Sequence, residues 1–558
     1  METSKKITVE VNGFRKIMVA GGISLLELKD KIAIKEDPLV PVVGALYNNR
    51  IMGLEYKITR NSNVRYITTK DVEGANIYRK SLSHLLHAAF MDITKGKATL
   101  KIEHSLNKGY FYSYISKKPL TETLVKKIKN RMDELVSEDM RFNKRECEVE
   151  DALDVFEKTG VRDRFYLLKY LSIPKVTIYG LLGCVTLGQG PLVPSTGYLK
   201  LFSLNYYPPG MVLTFPGTKK PKELPSSPEQ KKLFQIYSEQ RAWSKILDVD
   251  SAGKLNRLII NRKIDDLTWV SEGLHEKKIS QVADIITKNV KKKRVILLAG
   301  PSSSGKTTFA KRLKIQLLVN GIDPRVISLD NYYLPRKEMP KDGNGVIDFE
   351  NIGALDLELI NRHLKQLIKG EKIQIPEYDF KTGEREPGTD VVSLSGNQVA
   401  IFEGIHCMNE NLTSLIDKEE KYKIYISVLT KLNIDYVNHI PTSTVRLIRR
   451  IVRDYQFRGY SARHTIRQWP LVRAGEEINI FPYQEEADIM FNSSLVYEMS
   501  VLKGYVEPLL KEIEDSDEEY TQAKQLLHFI SNFVYITPEC VPLTSILREF
   551  IGGSGFHY

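Results

Sequence analysis

The chain of 558 residues is 42% hydrophobic and 27% charged, the balance of a soluble globular protein with several domains. No apolar run reaches the roughly 20 residues a membrane helix needs, and four scattered cysteines with no C-x-x-C pair exclude a zinc knuckle and a disulfide framework. The net charge of +12 is spread over short clusters, so it reads as solvated helix faces and sites for anionic substrates before it reads as a nucleic-acid groove. Residues 7–11 alternate as a strand and do not form a signal-peptide core, which points to the cytoplasm.

The first 70 residues pattern as a small β-rich domain. Strands fall at 7–11, near 15–19, at 41–47 and at 64–67, with a helix over 25–34 and a turn at Asn48-Asn49. The piece Ala45-Leu-Tyr-Asn-Asn-Arg-Ile-Met-Gly-Leu54 resembles the TGS domain, the ubiquitin-like β-grasp module of threonyl-tRNA synthetases. Residues 71–216 extend that resemblance. Tyr78-Arg-Lys-Ser-Leu-Ser-His-Leu-Leu86 is similar to the start of the synthetase's second additional domain, and residues 190–204 to the segment that carries its Cys-x-x-x-His. His84 matches one metal ligand of that family, but Lys80, Gly188 and Leu192 stand where the other three are expected. Glycine and leucine cannot ligate a metal and a protonated lysine does so poorly, so the resemblance implies an α+β scaffold with a degenerate metal site.

Residues 217–293 read as a connector. It opens with linker composition at 218–228, and helical spacing follows at Leu233, Ile236 and Tyr237 and again at Ile279, Val282, Ala283 and Ile286. Residues 506–558 form a helical tail, and its stretch 523–534, like the connector, is a candidate contact in a homo-oligomer.

Residues 294–505 alternate strands and helices, the pattern of a doubly wound parallel α/β sheet. Here Gly300-Pro-Ser-Ser-Ser-Gly-Lys-Thr307 fits G-x-x-x-x-G-K-[ST] between an apolar strand, 294–299, and a helix marked by Phe309, Leu313 and Leu317. Such a loop turns backbone N–H groups and a helix N-terminus toward phosphate oxygens, so Gly300, Ser302, Ser303, Ser304, Gly305, Lys306, Thr307 and Thr308 are the expected ATP cradle. Lys306 would reach the β- and γ-phosphates and Thr307 would hold Mg²⁺. Ligands of these sheets lie beyond the carboxyl ends of the strands. Asp330, ending the strand at 325–330, and Glu403, ending 398–403, therefore share the rim of the loop: Asp330 as base and metal neighbour, Glu403 as metal carboxylate.

The whole of this domain resembles the uridine kinase and phosphoribulokinase group. Ser328-Leu-Asp-Asn-Tyr-Tyr333 resembles its catalytic-aspartate segment, which puts Asp330 and Tyr332 at the substrate. In Ile375-Pro-Glu-Tyr-Asp-Phe380 the resemblance maps Tyr378 to a ring that stacks on a pyrimidine, and Ile401-Phe-Glu-Gly-Ile405 resembles the metal-binding strand end. Arg446, Arg450 and Arg453 fall on one helix face with Arg458 beyond, where the family's lid arginines clasp phosphates and sugar; Gln468 matches its lid glutamine. Glu350 stands where an aspartate grips ribose hydroxyls, Gly383 where a histidine contacts the base, and Tyr460 where a lid arginine is expected. The resemblance implies an ATP- and Mg²⁺-dependent kinase for the 5′-hydroxyl of a pyrimidine ribonucleoside. The departures leave open another hydroxyl acceptor (a sugar, a sugar phosphate or an amino-acid-like molecule), and the synthetase-like front half leaves open an RNA- or tRNA-binding regulator.

Overall fold

The computed structural model describes residues 6–557 except 14, 107, 172, 227–231, 233, 235–242, 244–245, 342–344, 346, 380–381 and 431. The end of the expected linker (227–228), the helical spacing at Leu233, Ile236 and Tyr237, and Phe380 thus lie outside the described residues.

Strands β1 (Lys6–Val11) and β2 (Arg15–Ala20) pair antiparallel, and Ile7, Val9 and Val11 turn inward as their alternation requires. Helix α1 (Leu25–Lys31) starts at a capping box of Ser24 and Glu27, and ends three residues before the spacing suggests. Strands β3 (Val42–Tyr47) and β4 (Arg50–Met52) are joined by Asn48 and Asn49, both left-handed, as a two-residue hairpin turn demands. Strand β5 (Ser62–Thr68) runs parallel to β1 and completes a mixed sheet in the order β2-β1-β5-β3-β4.

Helix α2 (Val72–Thr94) is buried along most of its length. Around it lie β6 (Thr99–Leu106), β7 (Gly109–Ile115), α3 (Glu122–Ser137), β8 (Asn143–Glu148), α4 (Val149–Lys158), α5 (Arg162–Lys169), β9 (Lys175–Leu181), β10 (Cys184–Leu187), β11 (Ser203–Tyr207) and β12 (Gly210–Thr214). Two antiparallel sheets result, β10-β9-β8 and β11-β12-β7-β6. The ring of His84 is buried and fully engaged: Nδ1 pairs with the Thr186 hydroxyl at 2.9 Å and Nε2 with the Cys184 carbonyl at 3.3 Å.

Helices α6 (Ala252–Ile260) and α7 (Ile264–Lys288) follow. Ile279, Val282, Ala283 and Ile286 are buried, and Glu276 of α7 receives Arg312 and Gln316. The connector therefore packs on the next domain.

That domain is a parallel sheet in the order β14-β17-β13-β18-β19, built from β13 (Val295–Ala299), β14 (Asp323–Ser328), β17 (Gln398–Glu403), β18 (Lys421–Ser427) and β19 (Ile489–Asn492). The side pair β15 (Ile373–Asp379) and β16 (Glu384–Val392) is antiparallel. Strand β13 is buried throughout; Ile296 and Leu298 join one apolar core while Val295, Leu297 and Ala299 join the other, as a sheet covered on both faces requires. The covering helices are α8 (Lys306–Val319), α9 (Leu357–Ile368), α10 (Thr442–Arg458), α11 (Ala462–Asn479) and α12 (Glu498–Lys511).

Helix α13 (Tyr520–Ile530) does not offer its apolar face to another subunit, as the tail pattern suggested. Ala523, Leu526, Ile530 and Phe533 are buried within the chain, and Thr521 donates to the Asn49 carbonyl at 2.7 Å. The short α14 (Arg548–Ile551) returns to α10. The halves are also stitched at 433–440, where Ile102 N donates to Tyr436 O at 3.0 Å and Asn433 Nδ2 to Ile102 O at 2.7 Å. No helix among the described residues is long and apolar enough to cross a membrane.

Candidate active site

The phosphate loop runs from the end of β13 to the start of α8. A side chain at Gly300 would come within 2.5 Å of the Ile426 carbonyl, so only glycine lets the loop leave the sheet there. Ser303 is buried with φ +59, a strained conformation of the kind that functional loops hold. The hydroxyls of Ser303 and Ser304 are buried without a partner among the described residues. Orphaned donors at a helix N-terminus fit the phosphates of a nucleoside triphosphate. Lys306 Nζ folds back on the carbonyls of Gly300 and Pro301 at 3.0 and 3.3 Å, while burial lowers its pKa against the pull of Glu403, Glu549 and Asp330.

Thr307 Oγ1 lies 3.3 Å from both oxygens of Glu403. Burial pushes the Glu403 carboxyl up to about 7; Lys306 draws it down while Glu549 and Asp330 push it further up. A hydroxyl beside a carboxylate crowded by other acids fits a divalent cation.

Strand β14 ends at Ser328, two residues earlier than expected, and Asp330 sits in the 3₁₀ turn Leu329–Tyr332. Its side chain is exposed at the surface. Surrounding protein raises its pKa, opposed by Lys306, Arg458 and Arg453. The turn also corrects the expectation for Tyr332. That side chain is 0% exposed, with its hydroxyl 3.0 Å from His363 Nδ1, so it belongs to the core and not to the substrate face. Tyr333 beside it is buried too, at 7% exposed, and its hydroxyl donates to the Phe349 carbonyl at 3.2 Å; its pKa is raised first by burial and then by Asp330 and Glu350.

The arginines of α10 divide by depth. Arg446, 2% exposed, pairs with Glu476 of α11, whose carboxylate also accepts from Arg473 and from the loop N–H of Ser302 at 3.0 Å. Burial pushes Glu476 up, but Arg446 and Arg473 hold it below the ordinary range. Arg446 is thus a brace for the loop. Arg450 donates to Ser302 Oγ at 2.8 Å. Asp454, buried, ion-pairs with Arg450, Arg453 and Arg458 at 3.2, 2.7 and 3.5 Å and fans them toward the cleft. Gln468 is half-buried on α11.

On the acceptor side, Glu350 packs on Gly475, where any Cβ would meet its own Cβ at 2.5 Å. Burial pushes its carboxyl up to about 7, with Arg450 opposing and Glu476 adding to the rise. Tyr378 is 5% exposed and meets the Tyr333 ring edge-on at 5.6 Å. A Cβ at Gly383 would lie 2.6 Å from Arg336 Nε, and Arg336 hydrogen-bonds Tyr378. An arginine therefore fills the space of the histidine expected there. Tyr460 stacks on His464 with centroids 4.5 Å apart.

Sequence reasoning missed Glu549. Its Oε2 accepts from Thr308 N at 3.0 Å and Thr308 Oγ1 at 2.7 Å, and Ile546 of the same tail presses on Gly305. No local pattern could find it, because the partners are 241 residues apart.

Residues 295–499 match the model of the Phosphoribulokinase / Uridine kinase family. A uridine kinase of Ureaplasma urealyticum is 30% identical over 181 residues, 32% of this chain and 78% of the relative. The chain belongs to the phosphoribulokinase/uridine kinase family. A second member, a uridine kinase of Deinococcus deserti, is 31% identical over 197 residues, 35% of this chain and 86% of its own length. This family member is a phosphotransferase. Its front half is similar to a threonine–tRNA ligase of Desulforamulus reducens, 29% identical over 208 residues; the match spans 36% of this chain and 31% of the ligase.

Proposed function

We propose that the protein is a cytoplasmic ATP–Mg²⁺-dependent kinase that phosphorylates the 5′-hydroxyl of a pyrimidine ribonucleoside. The observation that carries this reading is the convergence of Lys306, Thr307, Glu403 and Asp330 on one rim, where burial raises both carboxyls and Lys306 draws both down. Asp330 takes the proton of the attacking hydroxyl as the new O–P bond forms and the β–γ bridge breaks, leaving ADP and a nucleoside monophosphate. Lys306, Arg450 and Arg453 stabilise the charge on the transferring phosphoryl, and Arg458 holds ATP. Thr307 and Glu403, with Asp330 beside them, would hold Mg²⁺, which when bound neutralises phosphate charge. Glu350 accepts from the ribose hydroxyls, and Tyr378 and Gln468 border the acceptor. Residues 294–505 form the kinase unit. Residues 1–70 and 71–216 act as TGS-like and second-additional-like scaffolds, joined through the connector 217–293 and clamped by the tail 506–558.

Arg336 in the place of the base-reading histidine favours a second reading, a kinase for another hydroxyl compound. A buried polar pairing discriminates between substrates far better than shape alone. Steady-state ADP release with uridine, cytidine, adenosine, ribulose 5-phosphate, threonine and no acceptor separates the two. Stimulation by uridine or cytidine alone is expected. Turnover on a different acceptor discards the nucleoside, and silence with all of them turns attention to salt-dependent tRNA binding by the front half.

A further inference from the structure

Where the front half meets α10 and α13 the structure encloses a cavity of about 480 Å³, within the usual range of small-molecule sites. One wall is a face of α2. Glu73, Asn76, Lys80 and Ser83 recur there at helical spacing and give a buried helix a polar stripe. Opposite stand Asn438 and His439 of the kinase half, and the α13 face contributes His528 and Phe529.

Lys80 is the unusual member. Its ammonium donates to the Gln189 carbonyl and packs over Gly190, where a Cβ would lie 3.1 Å from Nζ. Among the described residues it forms no ion pair. Glu73, the one acid among the lining residues, is seven positions back on α2, about 10 Å along the axis. Burial lowers the Lys80 pKa to about 8, and Lys80 in turn helps burial depress His528. Arg50 and Lys524 also line the cavity, so cations outnumber acids on its wall. Lys80 is half-buried, and a charge partly withdrawn from water without a counter-ion is costly unless something supplies one.

We propose that this cavity binds a small organic anion, a carboxylate or a phosphomonoester, with Lys80 as its counter-ion and the largely polar α13 face, with Lys524 and His528, as its facing wall. The site is separate from the phosphate loop. It uses neither the kinase residues nor His84.

The test is thermal unfolding of the full chain with glutamate, threonine and malate as carboxylates, and glycerol 3-phosphate and uridine monophosphate as phosphomonoesters. Each is set against its counterpart lacking the anion: amides, glycerol and uridine. At least one anion is expected to raise the midpoint of the wild type by a few degrees where its counterpart does not, and the responding arm names the headgroup. Lys80→Met is expected to unfold at or above the wild-type midpoint and to lose that shift, because it removes an uncompensated charge. Lys80→Gln, which still donates to the Gln189 carbonyl, is expected to lose the shift as well. The proposal is overturned if no anion shifts the wild type, or if the shift survives in either variant. It is also overturned if Lys80→Met by itself unfolds several degrees lower, since the lysine would then be a brace for the Gln189 loop.

Discussion

The two halves of this chain use ionisable side chains in opposite ways. In the front half His84 spends both ring nitrogens on its own framework, and burial lowers its pKa to about 3, which keeps it neutral. In the kinase half the Asp330 carboxylate accepts no hydrogen bond among the described residues, and its charge is answered across the cleft by Lys306, Arg458 and Arg453. A group exhausted by its own backbone is scaffold. A group balanced by several opposing charges across open space is a site.

The sharpest way to break this contrast is Asp330→Asn. Loss of the base is expected to slow transfer by about 10²–10⁴-fold while ATP binding, followed by calorimetric titration, stays near wild type. Loss of ATP binding would make Asp330 mainly a metal ligand. Next in size is Glu476→Gln, which strands Arg446 inside the protein. Unfolding in denaturant should show a loss of about 3–5 kcal/mol, with activity falling as the loop loses its brace. His84→Ala is expected to cost about 1–3 kcal/mol and to leave kcat unchanged, and a chelator should stop transfer without moving the unfolding midpoint.

Glu350 gives a pH signature. Its folded pKa of about 7 lies above the ordinary carboxyl value of 4.5, so the folded chain holds the proton more tightly. That contribution to stability is full below the unfolded pKa and is lost as pH rises to about 7. The nucleoside KM is expected to fall about tenfold between pH 6 and 8 as the carboxylate ionises. Glu350→Gln should flatten the profile, and an unchanged slope in that variant would remove Glu350 from the ribose. The smallest effect is Glu549→Ala. It frees the N–H and hydroxyl of Thr308 and removes a negative charge beside the loop, so the KM for ATP is expected to fall severalfold; a rise would make Glu549 part of the ATP site.

Much of the kinase was legible from local pattern. The phosphate loop, the strand end at Glu403 and the single helix carrying Arg446, Arg450 and Arg453 are local features, and backbone periodicity places them. Orientation was less legible. The 3₁₀ turn after Ser328 carries Tyr332 into the core, and helical spacing cannot tell that Arg446 is buried while Arg450 reaches Ser302. Asp454 and Glu476 carry no sequence signature that sets them apart, although each holds several cations. Glu549 and the Lys80 cavity were out of reach, since their partners come from segments hundreds of residues away. In the front half the hairpin turn was readable from Asn48-Asn49, because few other residues accept that backbone.

The stitch at 433–440 carries one more consequence. This loop follows β18 of the kinase and leads directly into α10, yet its polar groups are satisfied by the front half: Tyr436 O by Ile102, and Tyr436 N by Asp163 at 2.8 Å. The kinase unit produced alone would leave those groups raw just ahead of the helix that carries Arg446, Arg450 and Arg453. The seam between the halves is a shared hinge of stability, and scanning calorimetry of the full chain should register a single endotherm where two fused, independent enzymes would give two.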